Sequence, residues 1–282
     1  MARCLGVFRE VTNSPNRETD DALILKAVLE RLGSLGVETQ AVNPEELDSM
    51  DLAGWDLILP MCEAYPRIKR LESLSRSTDA LWVNPPSSVL SCYRIQMLDA
   101  FRSAKEIRFP PTEVRKVDEG PGDPPVPSDG GWWIKRGDVH NTCDHDVVRA
   151  RRWTDVAGIL QDFAKREIMH WLVQPHVEGD LVKFYGVGPE HWFTWFYHDP
   201  VRAKRLPFDV DVLAGQAAAG ARRLALEVFG GDAIIGPDRV VTLLDVNSWP
   251  SFALVRGEAA VQISWHLQRR VKTLRGAALR RS

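Results

Sequence analysis

Apolar positions along this chain recur with two different spacings, and the switches between them mark out the elements. Residues 4–8 (CLGVF) make a short continuous apolar run, the length of a buried strand. A polar loop covers 9–17. After it, Leu23, Ile24, Ala27, Val28, Leu32 and Leu35 recur at three- and four-residue intervals, which predicts one apolar helix face. Thr19 or Asp20 can cap the start of this helix, and Gly36 stands where a glycine beyond the last turn belongs. Further strands are expected at 37–42, 55–59 and 81–84. Strand and helix alternating in this way predict a small parallel α/β lobe that ends near Pro85 and Pro86.

The rest of the chain reads differently. A helix is expected over 92–104, and Phe109-Pro110-Pro111-Thr112 stops it and begins a strand. The Pro- and Gly-rich stretch 118–131 reads as a loop. A strand at 132–136 and a helix at 155–168 follow, then strand-like runs at 171–174, 181–187 and 192–197. A long helix at 210–229 leads to strands at 233–235 and 240–246, and a last helix begins near Glu258. There is no internal repeat. The predicted units are 1–86, 87–170 and 171–282.

Composition narrows the function classes. With 282 residues, 44% hydrophobic and 26% charged, the profile is that of an ordinary globular protein. Lys and Arg total 36 against 38 Asp and Glu, so there is no basic footprint for nucleic acid or an anionic membrane. The basic positions from Arg269 to Arg281 read as a solvated helix face. Cys4, Cys62, Cys92 and Cys143 are scattered without a CxxC, which argues against zinc or a disulfide framework and fits a reducing compartment. No signal-like segment opens the chain, and no apolar run reaches about 18 residues. The expectation is a cytoplasmic protein with a small-molecule substrate, compatible with a homodimer.

Three segments carry candidate chemistry. In 232–252, Asp245 and Asn247 lie two apart on a strand and share a face, with Leu244 and Val246 expected to point the other way into the core. Asp232, on the preceding strand, can join them. Two carboxylates and an amide oxygen form a hard donor set of the kind Mg²⁺ takes when phosphates complete its shell. In WWIKRGDVHNT, Trp133 and Lys135 share a face, and Lys135 leads into a polar loop where an ammonium can neutralise phosphate. His140 and His145 lie in that loop. In WLVQPHVEGDLVKFYGVG, the segment Gln174, Pro175, His176, Val177 can offer its backbone to a base edge, and Glu178 or Asp180 can hold a ribose. Lys183 shares its face with Leu181 and Tyr185, which suggests an anionic partner.

The order of these motifs resembles the ATP-grasp superfamily over nearly the whole chain. In that superfamily a strand Lys precedes a lid loop, an adenine hinge follows, and a D/E-x-N metal motif with an upstream Asp comes last. The matching positions are Lys135, the loop 137–146, the hinge 174–177, and Asp232 with Asp245 and Asn247. Arg94 stands where a second basic residue usually opens the central lobe. The resemblance implies an α/β fold in which an N-terminal pre-ATP-grasp lobe precedes two subdomains, with ATP and Mg²⁺ (or Mn²⁺) held between two antiparallel sheets. Two departures stand out: Pro175 replaces a common acidic hinge residue, and Gly137 is the one glycine of the lid.

Most members, such as glutathione synthetase and the ribosomal-protein glutamate ligase, join a carboxylate to an amine through an acyl phosphate. A minority are kinases. Lys135 followed by His140 and His145, the D-x-N form of the metal motif, Lys183, and Arg205-Leu206-Pro207 resemble the inositol-phosphate kinases. That resemblance implies catalytic roles for Lys183, Arg205 and His140. The superfamily's usual chemistry points to a ligase, with a small-molecule kinase (inositol-phosphate, sugar or polyol acceptor) as the alternative and an inactive nucleotide-binding module third.

Overall fold

The structure is a computed structural model that describes residues 1–11, 18–139 and 143–278. The N-terminal lobe runs β1 (Ala2–Val7), α1 (Glu18–Ser34), β2 (Val37–Val42), β3 (Leu57–Pro60), α2 (Tyr65–Ser75) and β4 (Leu81–Trp82). Its strands form a parallel sheet in the order β2-β1-β3-β4. Ile24, Leu25, Val28, Leu29 and Leu32 bury the inner face of α1. Leu23, expected on that face, is exposed, because the buried stripe is centred one residue later. Gly36 ends the helix turn at φ +82°, a left-handed conformation that suits glycine. α2 was not anticipated: over YPRIKRLESLS only Ile68 and Leu71 are buried, too few apolar positions to read as a helix face.

Past Pro85, a short helix that was not anticipated, α3 (Pro86–Ser91), comes first, and the helix expected at 92–104 is α4 (Arg94–Phe101). Met97 and Phe101 pack into the core of the C-terminal lobe. The central sheet contains β5 (Glu113–Lys116), β6 (Trp132–Arg136), β7 (Val147–Ala150) and, after α5 (Val156–Lys165), β8 (His170–Pro175). All pairings are antiparallel, in the order β5-β8-β6-β7. Trp132, Ile134, Trp171 and Val173 alternate into a core against α5. Trp133, Lys135, Leu172 and Gln174 face the other way. Because β8 belongs to this sheet, the passage to the last lobe falls between Pro175 and Asp180, after the boundary expected at 170.

The C-terminal lobe is built from β9 (Asp180–Val187), the short α6 (Gly188–His191), β10 (Trp192–Tyr197), α7 (Val210–Arg223), β11 (Val228–Ile235) and β12 (Val241–Ser248). Its antiparallel sheet has the order β10-β9-β11-β12. The helix expected over 210–229 stops at Arg223, and β11 starts at Val228. Ala225, at φ +53°, reverses the chain there. α8 (Arg256–Ala278) returns to pack on α1.

Asn84 and Trp249 help to join the first and last lobes. Asn84, fully buried, donates to Val228 O at 2.6 Å and Ser248 Oγ at 2.9 Å, and accepts from Glu227 N and Val228 N. Trp249 Nε1 donates to Val83 O at 2.8 Å. These bonds tie the ends of β11 and β12 to the N-terminal lobe. Among the described residues, no helix is long and apolar enough to cross a membrane.

Candidate functional site

Strand register assembles the centre of the site. Lys183 on β9 lies opposite Asp232 on β11, which lies opposite Asp245 on β12, so three adjacent strands place three ionisable groups in one row. Lys183 Nζ meets Asp232 Oδ1 at 2.7 Å. Asn247 Nδ2 donates to Asp245 Oδ2 at 3.1 Å. Gly231 permits the close approach of the strands, since a Cβ there would lie 2.1 Å from Asp245 O.

β12 reaches this register through a bulge. Asp232 pairs with Asp245 while Ala233 pairs with Leu243, so Leu244 is the extra residue. Val241, Leu243 and Val246 all enter the core, and Leu244 lines the same cavity as Asp245. Leu244 was expected to point into the core; regular alternation would have turned Asp245 inward with Val241 and Leu243, and the bulge resolves that conflict.

The donor set fits a divalent cation. Asp245 Oδ1 is buried and has no hydrogen-bond partner, an arrangement that is costly unless a cation or donor completes it. Asp232, Asp245 and Asn247 offer two carboxylates and one amide oxygen, and no third carboxylate or His joins them among the described residues.

Two cavities of similar size, about 230 and 260 Å³, meet at this row and share Arg94, Asp232 and Asp245. The first lies between the central and C-terminal sheets. Its walls are largely apolar, with Met97, Phe109, Trp133, Leu172, Ile234 and Leu244, and Lys135 reaches in near the carboxylates. Burial, and secondarily Arg94, push the Lys135 ammonium down to about 8, while Asp245 and Asp232 oppose the shift. The second cavity lies on the N-terminal side and is more polar than the first, with Arg9, Asp21, Glu63, Lys183 and Asn247 in its wall.

The other predicted residues fall in different places. Gln174, Pro175, His176 and Val177 all line the first cavity. The His176 N–H, however, donates to Gly131 O at 2.8 Å, and its Nδ1 accepts from Trp133 Nε1 at 3.2 Å. Burial, with help from Arg149, lowers the His176 pKa. Arg94 is buried and donates to Arg136 O and Val139 O at 2.9 and 3.0 Å, holding the strand end beside Lys135. Asp180 was expected near a ribose. It lies outside both cavities, and its buried carboxylate accepts the N–H groups of Lys204 at 2.7 Å and Leu206 at 2.8 Å. Glu178 is exposed and pairs with Lys204 at 3.0 Å. Arg205 is exposed, at φ +56°, and lines neither cavity.

His140 lies outside the described residues. His145 is exposed. Both ends of the segment 137–146 are anchored: Gly137 N donates to His170 O at 2.8 Å, and Asp146 is buried against Arg166 and Arg136. Gly137 and Asp146, the end residues of the expected lid, are thus bonded to the central lobe.

Sequence reasoning missed Arg9 and Glu63. Arg9 donates to Met61 O at 3.1 Å and Trp249 O at 2.7 Å, and pairs with Asp21 and Glu63, each at 3.1 Å. It thus binds the ends of β1 and β3 to the turn after β12. Nothing in a polar loop residue following a strand signals this.

No protein-family profile matches the chain, and no curated protein matches it in sequence. Solved structures do match. The D-alanyl-alanine synthetase A of Vibrio cholerae O1 biovar eltor superposes with TM-score 0.72 at 10% identity, over 97% of this chain and 98% of its own. A RimK domain ATP-grasp protein from Sphaerobacter thermophilus gives TM-score 0.69 at 18% identity, over 95% and 100%. The D-cycloserine synthetase DcsG gives 0.67 at 16%, over 95% and 99%. What these likenesses share with the chain is an arrangement of lobes across nearly its whole length.

Proposed function

We propose that this chain, which has the ATP-grasp fold, is a Mg-ATP-dependent carboxylate–amine ligase. The observation that carries the reading is the meeting of an apolar cavity and a polar cavity at Asp232 and Asp245. The apolar cavity suits a purine ring, and Lys135 stands between it and the carboxylates, where nucleotide phosphates would lie. Asp232, Asp245 and Asn247 would hold Mg²⁺, which supplies charge neutralisation for the phosphate oxygens of the transferring group.

The acceptor belongs in the polar cavity. There a carboxylate oxygen attacks the γ-phosphorus, the bond to the β-phosphate oxygen breaks, and ADP leaves. An amine then attacks the acyl carbon, inorganic phosphate leaves, and the amine gives up a proton. Lys183, on the border of the polar cavity, is placed to neutralise charge on the transferring group. The solved structures of similar fold include synthetases named for D-alanyl-alanine and D-cycloserine, which favours ligase chemistry. Against the kinase reading, Arg205 lies outside both cavities and His145 is exposed.

The test is ADP release across pooled carboxylic acids, amines and polyols, with and without hydroxylamine. A ligase yields a hydroxamate in its presence. A stable phosphate ester made from one acceptor and ATP alone would establish the kinase instead.

A further inference from the structure

One polar side chain in the wall of the apolar cavity has its orientation fixed from behind. Gln174, on β8, is 3% exposed and lines the cavity beside Trp133 and Leu172. Its Nε2 donates to Thr112 Oγ1 at 2.7 Å. The Thr112 hydroxyl donates in turn to Pro110 O at 2.8 Å. A hydroxyl carries one hydrogen, so once that hydrogen is given to Pro110, Oγ1 can only accept. The amide must then turn its NH₂ toward Thr112, and its carbonyl Oε1 is the atom left for a ligand. The reversed amide would set two acceptors against each other, or leave the Pro110 carbonyl unbonded.

The surroundings make this orientation consequential. The walls next to Gln174 are largely apolar, and a mispaired polar edge in such a setting is expensive. In the neighbouring main chain, Pro175 has no N–H and the His176 N–H is already bonded to Gly131 O.

We propose that Thr112 and Gln174 set the base preference of the site. The relay from Pro110 through Thr112 presents a fixed acceptor, which takes the exocyclic amine at position 6 of an aminopurine and rejects a 6-oxopurine. Gln174 contacts the base, and Thr112 is a positioning residue that acts through it. The inference rests on the nucleotide reading of the cavity given above.

Calorimetric titration with ADP, IDP and GDP in the presence of Mg²⁺ tests it, because ADP and IDP differ at the position in question. The full-length chain should prefer ADP over IDP by about 100-fold, the scale of leaving one buried polar group without its partner. Thr112→Val frees the amide to reverse, so the ratio should shrink about tenfold, mainly through tighter IDP binding. Thr112→Ser keeps the hydroxyl and should retain the parent ratio. Gln174→Met, close in volume, should lose the preference without gaining IDP affinity.

An unchanged ADP-to-IDP ratio in Thr112→Val overturns the proposal. If that variant fails to fold, a parent ratio in Gln174→Met does the same. A parent chain that binds ADP and IDP equally refutes this inference alone. One that binds none of the three diphosphates removes the nucleotide reading and this inference with it.

Discussion

The two cavities that meet at Asp232 and Asp245 are built on opposite principles. The first is an apolar slot in which a few polar groups, Lys135 and Gln174 among them, stand in fixed places. The second is crowded with charge, and several of its ions are already matched: Arg9 with Asp21 and Glu63, Lys183 with Asp232. An apolar slot gains by burying a flat ring and discriminates through its few polar atoms. A charged cavity can accept a ligand only by exchanging pairings it already has. Tight binding is thus expected from the first, and selectivity between charged acceptors from the second.

The sharpest way to break this comparison is at the border. Asp245→Ala should reduce ADP release by about three orders of magnitude, since phosphoryl transfer depends on neutralised phosphates. The melting temperature without ligand should change little, because removing a buried carboxylate oxygen that has no partner is offset by losing the interactions with Asn247 and Lys135. Near-parent turnover would refute the metal assignment.

Lys135 gives the next largest effect. Lys135→Met should weaken nucleotide binding by roughly ten- to a hundredfold, the range for a lost hydrogen bond to a charged group. Its pH dependence carries a definite sign. The folded-state value is lowered from 10.5 to about 8, so the fold disfavours the ammonium. That penalty is present below about 8 and lifts as pH rises toward 10.5, so unliganded stability gains across this window. Nucleotide affinity should move oppositely, because phosphate binds the ammonium, and binding at pH 8.5 should take up protons. Calorimetry in two buffers of different ionisation enthalpy measures that uptake, and Lys135→Met should abolish it.

Asp180 sharpens the contrast between chemistry and scaffold. Asp180→Ala leaves two backbone N–H groups without their acceptor and should cost about 1–3 kcal/mol in denaturant unfolding, with nucleotide affinity unchanged. A ribose-binding carboxylate would give the reverse pattern. The smallest effect belongs to Arg205→Gly. Relief of a left-handed backbone at an exposed arginine should add about 1 kcal/mol or less, with turnover at the parent level. A loss of turnover would return Arg205 to the site.

These cases show where sequence reasoning reached and where it stopped. The shared face of Trp133 and Lys135, and that of Asp245 and Asn247, follow from strand alternation, whereas the placing of Leu244 beside Asp245 depends on a bulge that alternation does not foresee. Asp180 and Glu178 were read by residue type beside a hinge. Type cannot reveal that Asp180 is held by the N–H groups of residues 204 and 206, which lie far along the chain. Arg9 was invisible for the same reason, as its partners come from residues 21, 61, 63 and 249. α7 was extended too far because its Ala-rich run passes smoothly into the apolar start of β11, and the break at Ala225 depends on a backbone angle.

The bulge at Leu244 has a consequence for how such a site can diversify. Regular β-strand alternation makes neighbouring positions interdependent, since a one-residue slip turns every later side chain to the opposite face. With the additional residue, β12 offers two consecutive side chains to the same space, one apolar and one a carboxyl group. Leu244 can therefore vary in size under selection for a different ring while Asp245 keeps its place opposite Asp232. One strand carries a part that inheritance can alter and, directly beside it, a part that it must preserve.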